Sequence, residues 1–337
     1  MASLTANSFS PKPNPEFRAI LESGPPPELP SKDPVELRNI TNVVKDQARA
    51  TAGPPPEGVK EYDIAIPTRD KSKISARVYA PAEGQKQNSP LFVFFHGGGY
   101  CIGSSKDESE TNRVLALEVG ITVVSIEYRL APEHRFPTCV HDGFDALTWI
   151  IENSASLHTD PSAGLIVGGV SSGGNIAQAI VYMNRDNGQQ LKITGQFLSV
   201  TNLLPPPVVP EKYKERYNSV EENKDFAIPP QEFIQIFMGA YQPDQQSPLF
   251  VPFNHPKGHS QIPPTYLQVC GLDSLRDEEL IYESVLREDY KIPTRMDVYD
   301  GLPHHFWEFF PQLTSLVEKR IRDTVEGVKW LLNPSGK

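Results

Sequence analysis

Two short stretches hold residue types that could do covalent chemistry. The first is GVSSG at 169–173, set between the apolar run LIVGGV (165–170) and the helical pattern GGNIAQAIVYM. A serine on a tight strand-to-helix turn, with glycine two places before and after it, has its hydroxyl pushed clear of the backbone. The helix start behind it favours developing negative charge. Ser171 is therefore the candidate nucleophile. This composition yields Gly-x-Ser-x-Gly by chance roughly 0.1 times, so the strand–turn–helix setting gives the motif its weight.

The second stretch is HGGGY at 96–100, directly after LFVFF (91–95). Chance accounts for HGGG only about 0.003 times, so a bland flexible loop is the poorer reading. Three glycines after a strand let backbone N–H groups face a substrate without side-chain obstruction. The N–H groups of Gly97, Gly98 and Ser172 are the candidate oxyanion donors. His96 is expected to hold this loop by hydrogen bonding rather than to act as a base.

A serine nucleophile needs a base, and the base needs an orienting carboxylate. On a strand–turn–helix elbow the chain order is serine, acid, histidine. After Ser171 come His255 and His259, in a proline-rich stretch, and His304 and His305, in YDGLPHHFW just past the run RMDVY. The last pair sits where a base should, at a strand end, and position alone does not choose between them. For the acid, Asp273 stands three residues past the run TYLQVC (265–270). Asp297 and Asp300 are its competitors, and Asp277 and Glu278 read as capping charges of the next helix.

These residues must be positioned by a scaffold. Apolar runs at 91–95, 121–128, 165–170, 197–200, 265–270 and 295–299 alternate with helical patterns at about 137–153, 173–185, 277–289 and 312–332. That alternation predicts an α/β fold with a mostly parallel sheet covered by helices. RMDVY is placed near a sheet edge. The first 60 residues, with proline clusters at Pro25–Pro27 and Pro54–Pro56 around a weakly helical stretch, read as an N-terminal arm. Residues 201–263 break the alternation and read as an inserted cap, joined by the arm; 61–200 and 264–337 read as the catalytic core.

Composition excludes several classes. The chain has 337 residues and a formal net charge of −10, which disfavours nucleic acid and anionic membrane surfaces as partners. Its 3 cysteines, Cys101, Cys139 and Cys270, give neither a zinc spacing nor a disulfide framework. They read as buried thiols in a reducing compartment. No apolar run is long enough to span a bilayer, and MASLTANSFSPKPNPEF lacks a secretory apolar core, so a cytoplasmic protein is expected. No nucleotide-binding motif occurs; no cofactor and no metal are expected.

With these residues in view, the chain resembles the hormone-sensitive-lipase-like family of α/β-hydrolases, the arylacetamide-deacetylase relatives. HGGGY matches the family's HGGG-aromatic motif, and EYRLAPEHRFP at 127–137 looks like its tyrosine–arginine–leucine–alanine–proline–glutamate block. GVSSGGN resembles GDSAGGN, GLDSLRDE resembles the D-P-L-R-D-E acid segment, and GLPHHFW resembles G-x-P-H-G-F. The resemblance implies an α/β-hydrolase fold with a helical cap. It places the triad on Ser171, Asp273 and His304, with His305 where glycine is usual. Val170, Ser172 and Ser274 are further departures.

The implied activity is hydrolysis of small to medium, fairly apolar carboxylic esters by a monomer or homodimer. Phe233, Ile236, Phe237, Met238 and Tyr241 are of the kind that would line an apolar pocket. Two other classes stay open. One is a tailoring enzyme using the same site for elimination, cyclisation or acyl transfer; the other is a ligand-binding receptor, since the gibberellin receptor is similar in fold.

Overall fold

The computed structural model describes residues 9, 12–24, 30–51, 53–82, 89–226 and 228–334. The Pro25–Pro27 cluster lies outside them. The N-terminal stretch carries helices α1 (Pro15–Ser23) and α2 (Pro34–Thr51). Strands β1 (Val59–Pro67) and β2 (Lys73–Pro81) follow as an antiparallel pair. Then β3 (Leu91–Phe95), α3 (Ser109–Glu118), β4 (Thr122–Glu127), α4 (Thr138–Glu152), β5 (Leu165–Val170), α5 (Ser172–Asp186) and β6 (Gly195–Ser199) alternate.

Between β6 and β7 the chain leaves the sheet for some sixty residues that include α6 (Ser219–Glu222) and α7 (Gln231–Tyr241). It returns through β7 (Thr265–Cys270), α8 (Arg276–Glu288), β8 (Thr294–Tyr299), α9 (Phe306–Phe309) and α10 (Thr314–Leu332).

The strands form one sheet in the order β1-β2-β4-β3-β5-β6-β7-β8. Only β1 with β2 and β2 with β4 pair antiparallel; from β4 to β8 the sheet is parallel. Strands β3, β5, β6 and β7 are buried along their whole length, which is why their sequences run apolar without alternation. Successive side chains of β3 enter opposite cores. Leu91, Val93 and Phe95 pack with residues of α4, α5 and α8, while Phe92 and Phe94 pack with residues of α3 and α10.

Each expected apolar run coincides with a strand, and each expected helical pattern with a helix. RMDVY lies at the sheet edge, as expected: β8 closes it and is half-buried over most of its length. The difference lies at the other edge of the sheet. Strands β1 and β2 escaped the apolar-run criterion because β1 reads VKEYDIAIP, with one face exposed. No helix among the described residues is long and apolar enough to cross a membrane.

Candidate active site

The elbow is built by close packing as much as by turn geometry. Ser171 follows β5 directly and opens α5, with φ +53° and ψ −121°, a region that a side-chain-bearing residue seldom occupies. Its amide donates to the Ser199 carbonyl at 2.8 Å, which pins the turn to β6. Gly173 leaves no choice of residue: a Cβ there would lie 2.1 Å from the Phe95 carbonyl oxygen and 2.3 Å from that of His96. The start of α5 is thereby pressed onto the end of β3.

The structure brings Ser171, His304 and Asp273 into one line. His304 Nε2 lies 3.1 Å from Ser171 Oγ, and His304 Nδ1 lies 2.6 Å from Asp273 Oδ2. An ionised Asp273 accepts only, so Nδ1 carries the proton and Nε2 presents its lone pair to the hydroxyl. Asp273 is 1% exposed; its Oδ1 accepts from the Leu275 amide at 2.9 Å. Asn223 donates to the Asp273 carbonyl at 2.8 Å, so the 201–263 segment steadies the loop that carries Asp273.

The other candidates are engaged elsewhere. Asp297 accepts from the Tyr266 hydroxyl, His259 pairs with Tyr182, and His255 pairs with Asp186. Asp277 and Glu278 stand in the first turn of α8, as expected, but their hydrogen bonds run to distant amides. Asp277 accepts the amides of Asn218 and Ser219; Glu278 accepts those of Leu203 and Leu204 and the Tyr217 hydroxyl. They tie the 201–263 segment to α8. Burial pushes the Glu278 carboxyl up to about 7, even against these hydrogen bonds.

The glycine loop is clamped by its carbonyls. Tyr128 donates to the His96 carbonyl at 2.8 Å, His96 Nδ1 donates to the Gly97 carbonyl at 2.7 Å, and the amides of Cys101 and Ile102 both donate to the Gly98 carbonyl at 3.0 Å. In a trans peptide N–H and C=O point in opposite directions. Fixing these three carbonyls therefore fixes the N–H groups of Gly97, Gly98 and Gly99, which have no acceptor among the described residues. The His96 ring holds the loop as expected: it stacks on Tyr128 at 4.2 Å, and burial lowers its basicity. Sequence reasoning overlooked two members of this set. Gly99 was one glycine further along, and Tyr128 sat within the EYRLAPE block without a role.

Above these groups is a cavity of about 290 Å³ that Ser171, His304 and the glycine loop line from below. Phe233, Phe237 and Met238 of α7 line it, as anticipated, whereas Ile236 and Tyr241 do not. Tyr241 instead stacks on Tyr100 at 3.9 Å. The N-terminal arm contributes Leu37, Thr41 and Lys45 from α2. Lys45 bridges Asp107 at 2.8 Å and Glu308 at 2.7 Å, tying the arm to the turn after His304.

His305 also lines the cavity, with φ +51°. Its Nε2 donates to Glu108 Oε1 at 2.9 Å, beside Trp307 Nε1 at 2.7 Å, and Arg320 donates to Glu108 Oε2 at 2.9 Å. Burial alone would raise the Glu108 carboxyl, but the Arg320 guanidinium and the two ring N–H groups hold it well below the usual carboxylate range. Cys101, Cys139 and Cys270 are all buried and unpaired. Among the described residues no group of three or more His, Cys, Asp or Glu is placed to hold a metal ion.

Residues 92–308 match the model of a family described by its α/β hydrolase fold. The chain is 34% identical over 331 residues to an AB hydrolase superfamily protein of Schizosaccharomyces pombe, covering 96% of this chain and 94% of that one. It is 32% identical to the carboxylesterase NlhH of Mycobacterium tuberculosis, over 69% of this chain and 72% of that one. Among solved structures, that of a vibralactone cyclase superposes with a TM-score of 0.87 at 28% identity, over 97% of this chain and 96% of that one.

Proposed function

The chain belongs to the hormone-sensitive-lipase-like branch of the α/β-hydrolases, hydrolases of the carboxylic-ester class, and from that premise we propose how its residues divide the work. Ser171 Oγ attacks the ester carbonyl while His304 Nε2 takes its proton. Asp273 holds the imidazole in the required tautomer and stabilises the imidazolium. The amides of Gly97, Gly98 and Ser172, with that of Gly99 beside them, receive the oxyanion. His304 returns its proton to the leaving alcohol, and a water then releases the acid by the reverse sequence. The single observation that carries this reading is the Ser171–His304–Asp273 line of hydrogen bonds, at 3.1 Å and 2.6 Å.

In this reading residues 1–60 and 201–263 cap a core formed by 61–200 and 264–337. The apolar lining from Leu37, Phe233, Phe237 and Phe250 supports small to medium, fairly apolar esters as substrates. The test is initial rates on p-nitrophenyl esters from acetyl to dodecanoyl, with wild type and Ser171→Ala side by side. Turnover abolished by the substitution is the expected result. No turnover by folded wild type on any chain length would overturn it.

The likeness to a vibralactone cyclase favours a second reading, in which a hydroxyl of the substrate replaces water as acceptor of the acyl group. His304 would deprotonate that hydroxyl as it would the water, and the products would then lack the elements of water. Mass analysis of the product from a hydroxylated ester separates the two.

A further inference from the structure

The resemblance leads one to expect glycine after the base, and the backbone agrees: residue 305 sits at φ +51°, where a side chain costs energy. A histidine stands there instead. The position is held by Glu108, whose carboxylate accepts from His305 Nε2 at 2.9 Å and is itself fixed by Trp307 and Arg320. Glu108 also has positive φ, +58°, and its side chain is 4% exposed. Two side-chain-bearing residues at positive φ are thus joined by a part-buried hydrogen bond.

That arrangement leaves one ring nitrogen unassigned. A carboxylate can only accept, so Nε2 carries a proton, and Nδ1 has no partner among the described residues. Nδ1 is not among the buried unpartnered atoms, and the ring lines the cavity that holds Ser171. The His304 and His305 ring centres are 6.2 Å apart. The cavity thus presents two imidazoles, each backed by a buried carboxylate, of which only one faces the nucleophile.

We propose that His305 is a specificity-determining residue whose Nδ1 hydrogen-bonds a hydroxyl carried by the substrate a few bonds from the scissile ester, making hydroxylated esters the preferred substrate class. The inference rests on the ester-hydrolase reading given above. A hydroxyl donates to Nδ1 when the ring is neutral and accepts from it when the ring is protonated, so recognition does not depend on one charge state. An apolar ester of the same shape would leave Nδ1 unpaired on losing its water.

The test compares kcat/KM for two matched pairs: ethyl 3-hydroxybutanoate against ethyl butanoate for the acyl side, and 2-hydroxyethyl butanoate against propyl butanoate for the alcohol side. Each ratio is divided by the ratio of the hydroxide-catalysed rates. Wild type should favour the hydroxylated member of at least one pair by roughly three- to tenfold. In His305→Phe that ratio should fall to about one, while His305→Asn, which tolerates positive φ, should keep part of it. Labelling of Ser171 by a fluorophosphonate reports folding of each variant. Should His305→Phe fail to label, His305→Gly removes the imidazole without backbone cost and should also give about one. Wild-type ratios near one in both pairs, or a ratio unchanged by loss of the imidazole, would overturn the proposal while plain-ester turnover left the hydrolase reading standing. Loss of all ester turnover in folded wild type would overturn both.

Discussion

The Tyr128 hydroxyl donates to the His96 carbonyl at 2.8 Å, and through that bond a buried phenol fixes the peptide that carries the Gly97 N–H. The phenol ring also supports the His96 imidazole by stacking at 4.2 Å. Tyr128 touches no reacting atom, so its contribution passes through the Gly97 amide. Tyr128→Phe keeps the stack and removes the hydroxyl, which meets the His96 carbonyl and the Ser172 side chain. It should lower kcat by about tenfold, less than the roughly 10²–10³ expected for losing an oxyanion donor outright. Affinity for a boronic acid, which mimics the tetrahedral state, should fall in step with kcat while KM stays near wild type. Equal losses in kcat and in ground-state binding would show that the substitution had merely loosened the pocket.

Asp273→Asn tests the other end of the hydrogen-bonded line. The amide would offer a donor or a neutral acceptor to His304 Nδ1 in place of a carboxylate 2.6 Å away. Either the wrong tautomer forms, leaving Nε2 protonated against Ser171, or the imidazolium loses its counter-charge. A fall in kcat of about 10⁴ follows from that loss, with fold and KM retained. Asp297→Asn, on the neighbouring strand, should stay within a few-fold of wild type.

Glu278 gives a pH dependence of stability. Burial holds its carboxyl at about 7 against an ordinary value of 4.5. The folded state therefore binds this proton more tightly than the unfolded chain does, so stability is lost as pH rises from about 4.5 through about 7. Glu278→Gln keeps an oxygen for the Leu203 and Leu204 amides and abolishes the ionisation. Its melting temperature should match wild type at pH 4.5 and exceed it above pH 7, where the relief is at most about 3 kcal/mol. A gap that is constant across this range would refute the assignment.

Lys45 is the electrostatic tie between the arm and the base turn, at 2.8 Å from Asp107 and 2.7 Å from Glu308. Its side chain is only 22% exposed, so its removal leaves two carboxylates facing one another with Arg49 alone to offset Asp107. Lys45→Met should loosen α2, withdraw Leu37 and Thr41 from the cavity wall, and raise KM several-fold for long acyl chains. High salt should raise the wild-type KM in the same direction, and a variant KM indistinguishable from wild type would place α2 outside substrate binding.

Some of this was legible in the sequence, for identifiable reasons. LFVFF and TYLQVC read as strands because both their faces are buried, and GVSSG read as an elbow because a Cβ at Gly173 has nowhere to go. Chain order brought Asp273 and the pair His304 and His305 forward as candidates, since each follows a core strand by a few residues. What escaped was set by tertiary contacts between distant segments. Nothing in the arm's sequence announces that Lys45 meets Glu308, and no local signal couples Glu108 to His305 across 197 residues. Asp277 and Glu278 do stand in the first turn of α8, but helix-capping logic is local and gives no sign that they also serve amides more than fifty residues away.

Gly99 and Gly173 separate two ways in which a glycine can be required. At Gly99, φ is +58° and an added Cβ would fall 2.3 Å from the Phe237 ring. The obstacle is a side chain on α7, which can rotate or move with its helix, and the conformation costs alanine about 1 kcal/mol. At Gly173 the obstacles are the carbonyl oxygens of Phe95 and His96, at 2.1 Å and 2.3 Å, and they belong to the sheet and the glycine loop themselves. Neither can retreat without opening the contact between β3 and the elbow. Gly99→Ala should therefore fold with a modestly lowered melting temperature, with Phe237 displaced into the cavity and chain-length preference shifted toward shorter acyl groups. Gly173→Ala should either fail to accumulate as folded protein or fold without reactivity toward a fluorophosphonate. Thermal melts and labelling of the two variants under one set of conditions decide this, and a Gly173→Ala protein as stable and reactive as wild type would break the argument that the elbow is held by backbone contact.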